Sequence, residues 1–117
     1  MPSRNPAQRL LDIVDNIDAI EEFTVDLDRE AFAADRKTLY AVVRALEIVS
    51  EASRRLPEEL KDRHEQIDWI AVDAAGNVYR HEYEGVDEGL VWHTVRHKLA
   101  VLRDVAVLEL ERVRRTP

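Results

Sequence analysis

Apolar residues recur along this chain at three- and four-residue intervals, and polar breakers divide them into blocks. The first block, Leu10, Ile13, Val14, Ile17, Ile20 and Phe23, predicts a helix over about Ala7–Val25 with one apolar face. Asp28 then reads as the N-cap of a short turn through Ala33, with Phe32 as a plug for the core. Asp35 reads as a second N-cap, opening a helix of roughly 20 residues. Its buried stripe is Leu39, Val42, Val43, Leu46, Val49 and Ala52.

Leu56–Pro57 ends that helix. Pro57 suits the first position of a short helix to Arg63, with Glu58 and Glu59 at its positive end. Asp68 caps the next helix, which sends Trp69 and Ile70 into the core and stops near Gly85. Asp87 caps one long final helix with Val91, Val95, Leu99, Leu102, Val105 and Leu108 as its stripe. Only 3 Gly and 4 Pro occur in 117 residues, so little interrupts these blocks. The expected fold is all-α: an antiparallel bundle of four to five helices, one domain over residues 1–117, with no internal repeat.

Composition removes several kinds of chemistry. Without cysteine there is no disulfide framework, thiolate zinc site or cysteine nucleophile. No apolar run has the length of a membrane span, and M-P-S-R-N-P lacks the apolar core of a signal peptide; a cytoplasmic protein is expected. The net charge of −7 is the wrong sign for a protein that coats nucleic acid. It is unevenly spread, though. Residues 1–89 carry 11 basic and 21 acidic side chains, and residues 90–117 carry 6 and 3. Arg96, Lys98, Arg103, Arg112, Arg114 and Arg115 could face phosphates, or serve only as cations on a solvated helix near its C-terminus.

The densest chemistry lies in Asp73–Asp87, D-A-A-G-N-V-Y-R-H-E-Y-E-G-V-D. Asn77 and His81 are four residues apart and share a helical face. Gly76 falls mid-helix, where glycine costs about 1 kcal/mol relative to alanine. Metal-free RNA cleavage needs a base for the 2′-hydroxyl, an acid for the leaving oxygen and donors for the phosphate charge. His81 suits the first two roles because imidazole titrates near physiological pH. Asn77 could orient the phosphate or the imidazole. From spacing alone, a surface histidine on a polar helix end is the simpler reading, because polar i,i+4 pairs are common on helices.

Nearly the whole chain resembles the HepT family, the toxin half of HepT–MntA modules within the HEPN class of helical ribonucleases. The resemblance rests on R-L-L-D-I-V-D-N-I-D-A-I-E-E-F, on F-A-A-D-R-K-T-L-Y-A-V-V-R-A-L-E-I-V-S-E-A, and on L-P-E-E-L, I-D-W and H-E-Y-E-G-V-D-E-G-L-V-W in that order. V-S-E-A stands where the family usually has I-G-E-A. The family's site is an Arg, usually followed by Asn, then a His and a Tyr in H-x-Y. The resemblance places the Asn at Asn77, the His at His81 and the Tyr at Tyr83, and the Arg position at Gly76. It implies a metal-independent endoribonuclease with no cofactor, acting on RNA and neutralised when an MntA-like nucleotidyltransferase antitoxin transfers AMP to Tyr83. It also implies a two-fold homodimer with two copies of His81 near one another, in a type II or VII toxin–antitoxin pair.

Gly76 divides the readings. Loss of the arginine would cost about 3 kcal/mol of transition-state stabilisation, a hundredfold or more in rate. Such a change needs one base, and selection against an active toxin would retain it; an impaired enzyme is the expectation. Alternatively Arg80, one helical turn on, reaches back over Gly76 and supplies the cation. A second class of function is a non-catalytic helical dimer that only binds a minimal nucleotidyltransferase. A third is an accessory helical domain of a nucleotidyltransferase system.

Other constellations are weaker. His93 and His97 have a zinc-compatible spacing but no evident third ligand. Glu47 and Glu51 could be paired carboxylates, but salt bridges to Arg44, Arg54 and Arg55 are the simpler reading. Trp69 and Trp92 read as core or interface anchors. Asp73 is placed to pair with Arg80 or Asn77.

Overall fold

A computed structural model describes residues 5–81 and 87–115, giving for 77–81 the course of the helix only. Seven helices and no strand occur among the described residues: α1 (Ala7–Thr24), α2 (Arg29–Ala34), α3 (Arg36–Arg54), α4 (Glu58–Asp62), α5 (Trp69–His81), α6 (Glu88–His97) and α7 (Leu99–Arg115). The architecture is the expected all-helical bundle.

Caps set several of the helix starts. Asp28 accepts the amide of Ala31 and Asp35 that of Thr38, so the chain turns sharply between α1 and α3. Asp68 accepts the amide of Ala71, and Asp87 those of Gly89 and Leu90. Pro57 precedes α4 as its N-cap rather than occupying its first position.

The amphipathic α3 is the central element. It packs against α1 on one side and α5 on another, and α1 packs in turn against α7. Leu10, Ile13, Ile20 and Val42 are almost wholly buried between these helices, and Val91 of α6 is equally buried. Phe32 has no exposed surface and lies against the Trp92 ring, with 5.1 Å between centroids. The short α2 is therefore the plug its sequence predicts.

Three apolar residues do not sit where their stripes predict. Phe23 is 44% exposed, Ile70 85% and Leu108 52%. In α1 the inward position after Ile20 falls four residues on, at Thr24, whose hydroxyl donates to the Ile20 carbonyl at 2.8 Å and can therefore be buried. In α7 the inward positions after Leu102 are Val105, Ala106, Glu109 and Leu110, which turns Leu108 outward. In α5, Trp69, Val72 and Gly76 form the packed side, and Ile70 lies about 100° from Trp69.

The long final helix is instead two. The helical run breaks at Lys98, although its amide still reaches the Thr94 carbonyl. One turn earlier the Thr94 hydroxyl donates to the Leu90 carbonyl, a side-chain bond that bends helices. The break lets α6 pack on α2 while α7 packs on α1. The expected end of the motif helix near Gly85 lies outside the described residues.

Candidate functional site

The motif helix α5 is anchored at its start by Trp69. Its indole N–H donates to the carbonyls of Lys61 (3.1 Å) and His64 (3.0 Å), pegging the helix to the connection after α4. One turn on, Asp73 receives the Lys61 ammonium at 2.9 Å and the Ser53 hydroxyl at 2.7 Å. Lys61 is only 5% exposed, so this carboxylate neutralises a buried cation. Asp73 thus pairs toward α3 and α4, and the expected pairing with Arg80 or Asn77 falls on side chains outside the described residues. Sequence spacing along α5 could not reveal partners 12 and 20 residues away.

Ser50 completes the seam. Its Oγ accepts the Gly76 amide at 3.0 Å and donates to the Val72 carbonyl at 2.8 Å. In an α-helix those two groups are the ends of one i→i−4 step. A single α3 hydroxyl thus engages the backbone of α5 directly. A Cβ on residue 76 would lie 2.7 Å from Ser50 Oγ and 3.0 Å from Ser50 Cβ. The glycine that costs helix propensity is what allows this close approach, since a Cβ there would force Ser50 to shift.

Asn77, Arg80 and His81 lie on the continuous helix just beyond this contact, with Asn77 and His81 one turn apart. Their side chains, and Tyr83 as a whole, lie outside the described residues. Asn77 follows the exposed Ile70 by seven residues, close to two helical turns, so both occupy one side of α5. A cavity of about 400 Å³ between α5 and the α6–α7 junction is lined from α5 by Ala71, Val72 and Ala75. By helical register the positions of Asn77 and His81 lie about 200° and 240° round from Ala75. The cavity therefore opens on a different side of α5.

A buried ionic cluster escaped the sequence reading. Glu109, 1% exposed, takes the Arg63 guanidinium at 2.7 Å on Oε1 and His64 Nε2 at 2.6 Å on Oε2. Arg112 stands 3.6 Å away. Burial pushes the Glu109 carboxyl up, but the hydrogen bonds from Arg63 and His64 outweigh it and hold it below the usual glutamate range. Glu109 lies seven residues after the buried Leu102, so helical register was the signal. The cluster fixes α7 to the connection that launches α5.

The other candidates resolve into surface chemistry. The rings of His93 and His97 lie 4.7 Å apart at a tilt of 44° on an exposed part of α6. Among the described residues no group of three or more His, Asp or Glu could hold a metal. Glu47 pairs with Arg44, and Glu51 with Arg54 and Arg55. Hydrogen bonding to Arg55, against some desolvation, keeps Glu51 below its ordinary pKa. Arg103 donates to Asp18 at 2.6 Å, Arg96 lies over the Trp92 ring at 4.7 Å, and Arg115 approaches Glu111 at 3.9 Å. Much of the basic C-terminal segment is thus engaged within the chain. No helix among the described residues is long and apolar enough to cross a membrane.

The fold is an all-helical bundle in which α5, the helix of Asn77 and His81, is clamped to α3. Residues 13–108 match the family described as Ribonuclease HepT-like, a span that includes the whole motif. The chain belongs to the HepT-like ribonuclease family. It is similar to "Probable ribonuclease HepT" of Thermococcus cleftensis, 39% identical over 86% of this chain and 91% of the relative. "Putative RNase MJ0125" of Methanocaldococcus jannaschii is 31% identical over 88% of this chain and 89% of its own. "Putative RNase MJ0127" of the same organism is 32% identical over 85% and 82%. No solved structure gives a significant match.

Proposed function

We propose that this chain is the toxin of a HepT–MntA-type toxin–antitoxin system and cleaves RNA without a metal. The observation that carries the reading is the placement of Asn77 and His81, one turn apart, on a helix that Ser50 and Gly76 seat against α3 in a chain of the HepT-like ribonuclease family. In the proposed reaction the ribose 2′-oxygen attacks the adjacent phosphorus. The O2′–P bond forms, the P–O5′ bond breaks, the 2′-hydroxyl proton goes to a base and the leaving oxygen takes a proton from an acid. His81 acts as acid or base, and Asn77 orients the phosphate or the imidazole. Because residue 76 carries no cation, Arg80 takes the charge-stabilising role, with a weaker centre as the consequence. In a two-fold dimer two such helices meet, and the local field of their cleft outweighs a net charge of −7.

Silencing follows from Tyr83. Its phenolic oxygen attacks the α-phosphorus of ATP on an MntA-like nucleotidyltransferase; pyrophosphate leaves, the phenol proton is lost and AMP stays on the tyrosine. Co-expression with such an enzyme should add the mass of one adenylyl group to the intact chain, and Tyr83→Phe should abolish the addition. An unmodified wild-type chain after co-expression would overturn the antitoxin half of the reading. Arg80→Ala should lower cleavage of an RNA oligonucleotide about a hundredfold, with partial recovery in Arg80→Lys. Unchanged cleavage in Arg80→Ala would remove Arg80 from the site. The second reading, a non-catalytic dimer that only binds the nucleotidyltransferase, is favoured by one residue, Gly76, and predicts modification without cleavage.

A further inference from the structure

Ser50 of α3 and Gly76 of α5 touch across the seam between the two helices. Ser50 is 1% exposed, and its hydroxyl is committed to α5 through the Gly76 amide and the Val72 carbonyl. The two nearest atoms to a Cβ built on residue 76 both belong to Ser50, at 2.7 and 3.0 Å. The third, the Glu47 carbonyl oxygen, is 3.9 Å away, an ordinary van der Waals contact. The obstruction is therefore the Ser50 side chain alone. Rotating the hydroxyl away would forfeit its bonds to the Gly76 amide and to the Val72 and Asp73 carbonyls and still leave the Ser50 Cβ in place.

We propose that Ser50 and Gly76 are a reciprocal pair. Ser50 locks α5 onto α3 through the helix backbone, and in doing so bars every side chain, a cation included, from position 76. Ser50 is then a positioning residue for Asn77 and His81, which follow one and five residues beyond the contact. Gly76 is the partner of that lock, and an arginine placed there alone would wedge the helices apart before it could serve phosphate. The packing half of this proposal stands without the ribonuclease reading; the cleavage half rests on it.

A double-mutant cycle on the full chain, read by thermal melting, tests the packing half. Gly76→Ala should lower the melting temperature by about 5–15 °C. Adding Ser50→Gly should raise it again, although Ser50→Gly by itself is destabilising. A Gly76→Ala chain that melts with the wild type overturns the pair, as does a double variant that melts no higher than Gly76→Ala. If Gly76→Ala does not fold, folding of the double variant supports the pair and its failure overturns it. Cleavage of a fluorescent RNA oligonucleotide in an Arg80→Ala background supplies a readout that stability alone does not move. Gly76→Arg together with Ser50→Gly should raise kcat/KM roughly tenfold over Arg80→Ala, while Gly76→Arg with Ser50 retained should not. Equal rates in those two chains overturn the exclusion of a cation from position 76 by Ser50. A wild type that cleaves nothing sinks the ribonuclease reading instead, and melting still decides the pair.

Discussion

His64 Nε2 lies 2.6 Å from Glu109 Oε2 at the buried junction of α7 with the segment that leads into α5. An ionised Glu109 accepts this bond and those of Arg63, so the cluster requires the carboxylate.

The sign of its pH dependence follows. Hydrogen bonds from Arg63 and His64, working against burial, lower the folded-state pKa of Glu109 from an ordinary 4.5. The group therefore contributes stability above about 4.5, and that contribution is lost as pH falls through the folded value. Glu109→Gln should cost about 3 kcal/mol at neutral pH. The urea-midpoint difference from wild type should shrink on acidification below about 4.5. A difference constant from neutral pH down to about pH 3 would contradict the cluster.

Lys61 and Asp73 should respond unequally to truncation. Lys61 is 5% exposed and Asp73 27%, so Asp73→Ala strands a buried ammonium, whereas Lys61→Met leaves a carboxylate that water can reach. Asp73→Ala should lose about 3 kcal/mol and Lys61→Met about 1 in denaturant titrations. The reverse order would show that the pair is not buried as described.

Phe32 and Phe23 separate core from surface. Phe32→Ala removes a ring with no exposed area and should cost about 3–5 kcal/mol. Phe23→Ala, at a position 44% exposed, should cost under about 1 kcal/mol. Equal losses in calorimetry would mean that both rings pack alike.

Much of this fold was legible in the sequence because local physics decides it. Asp28, Asp35, Asp68 and Asp87 cap the helices as their residue types predict, and the α3 stripe lies where its periodicity places it. The misses share one cause. Phe23, Ile70 and Leu108 are apolar and close to a stripe, but burial depends on what stands opposite, which a single chain's periodicity does not contain. The partners of Asp73 and Glu109 are likewise 12 to 46 residues away in sequence. Gly76 shows the limit most clearly: as a sequence position it reads as a missing cation, and in the fold it is the contact surface for Ser50.

Ile70 bears on the proposed dimer. It is 85% exposed and shares the side of α5 that carries Asn77. Ile70→Glu should leave the monomer's melting within about 0.5 kcal/mol of wild type and shift light scattering from dimer to monomer. A variant that remains dimeric would place the two-fold interface elsewhere.

Cleavage by the unmodified chain is the most direct test of the central claim. The intact mass is first verified to lack an adenylyl group, and an RNA oligonucleotide is incubated with wild type and His81→Ala in EDTA. Wild type should cut the RNA with EDTA present, and His81→Ala should be slower by about a hundredfold or more. Cleavage that EDTA abolishes, or that His81→Ala leaves unchanged, would contradict the assignment of His81 to a metal-independent ribonuclease centre.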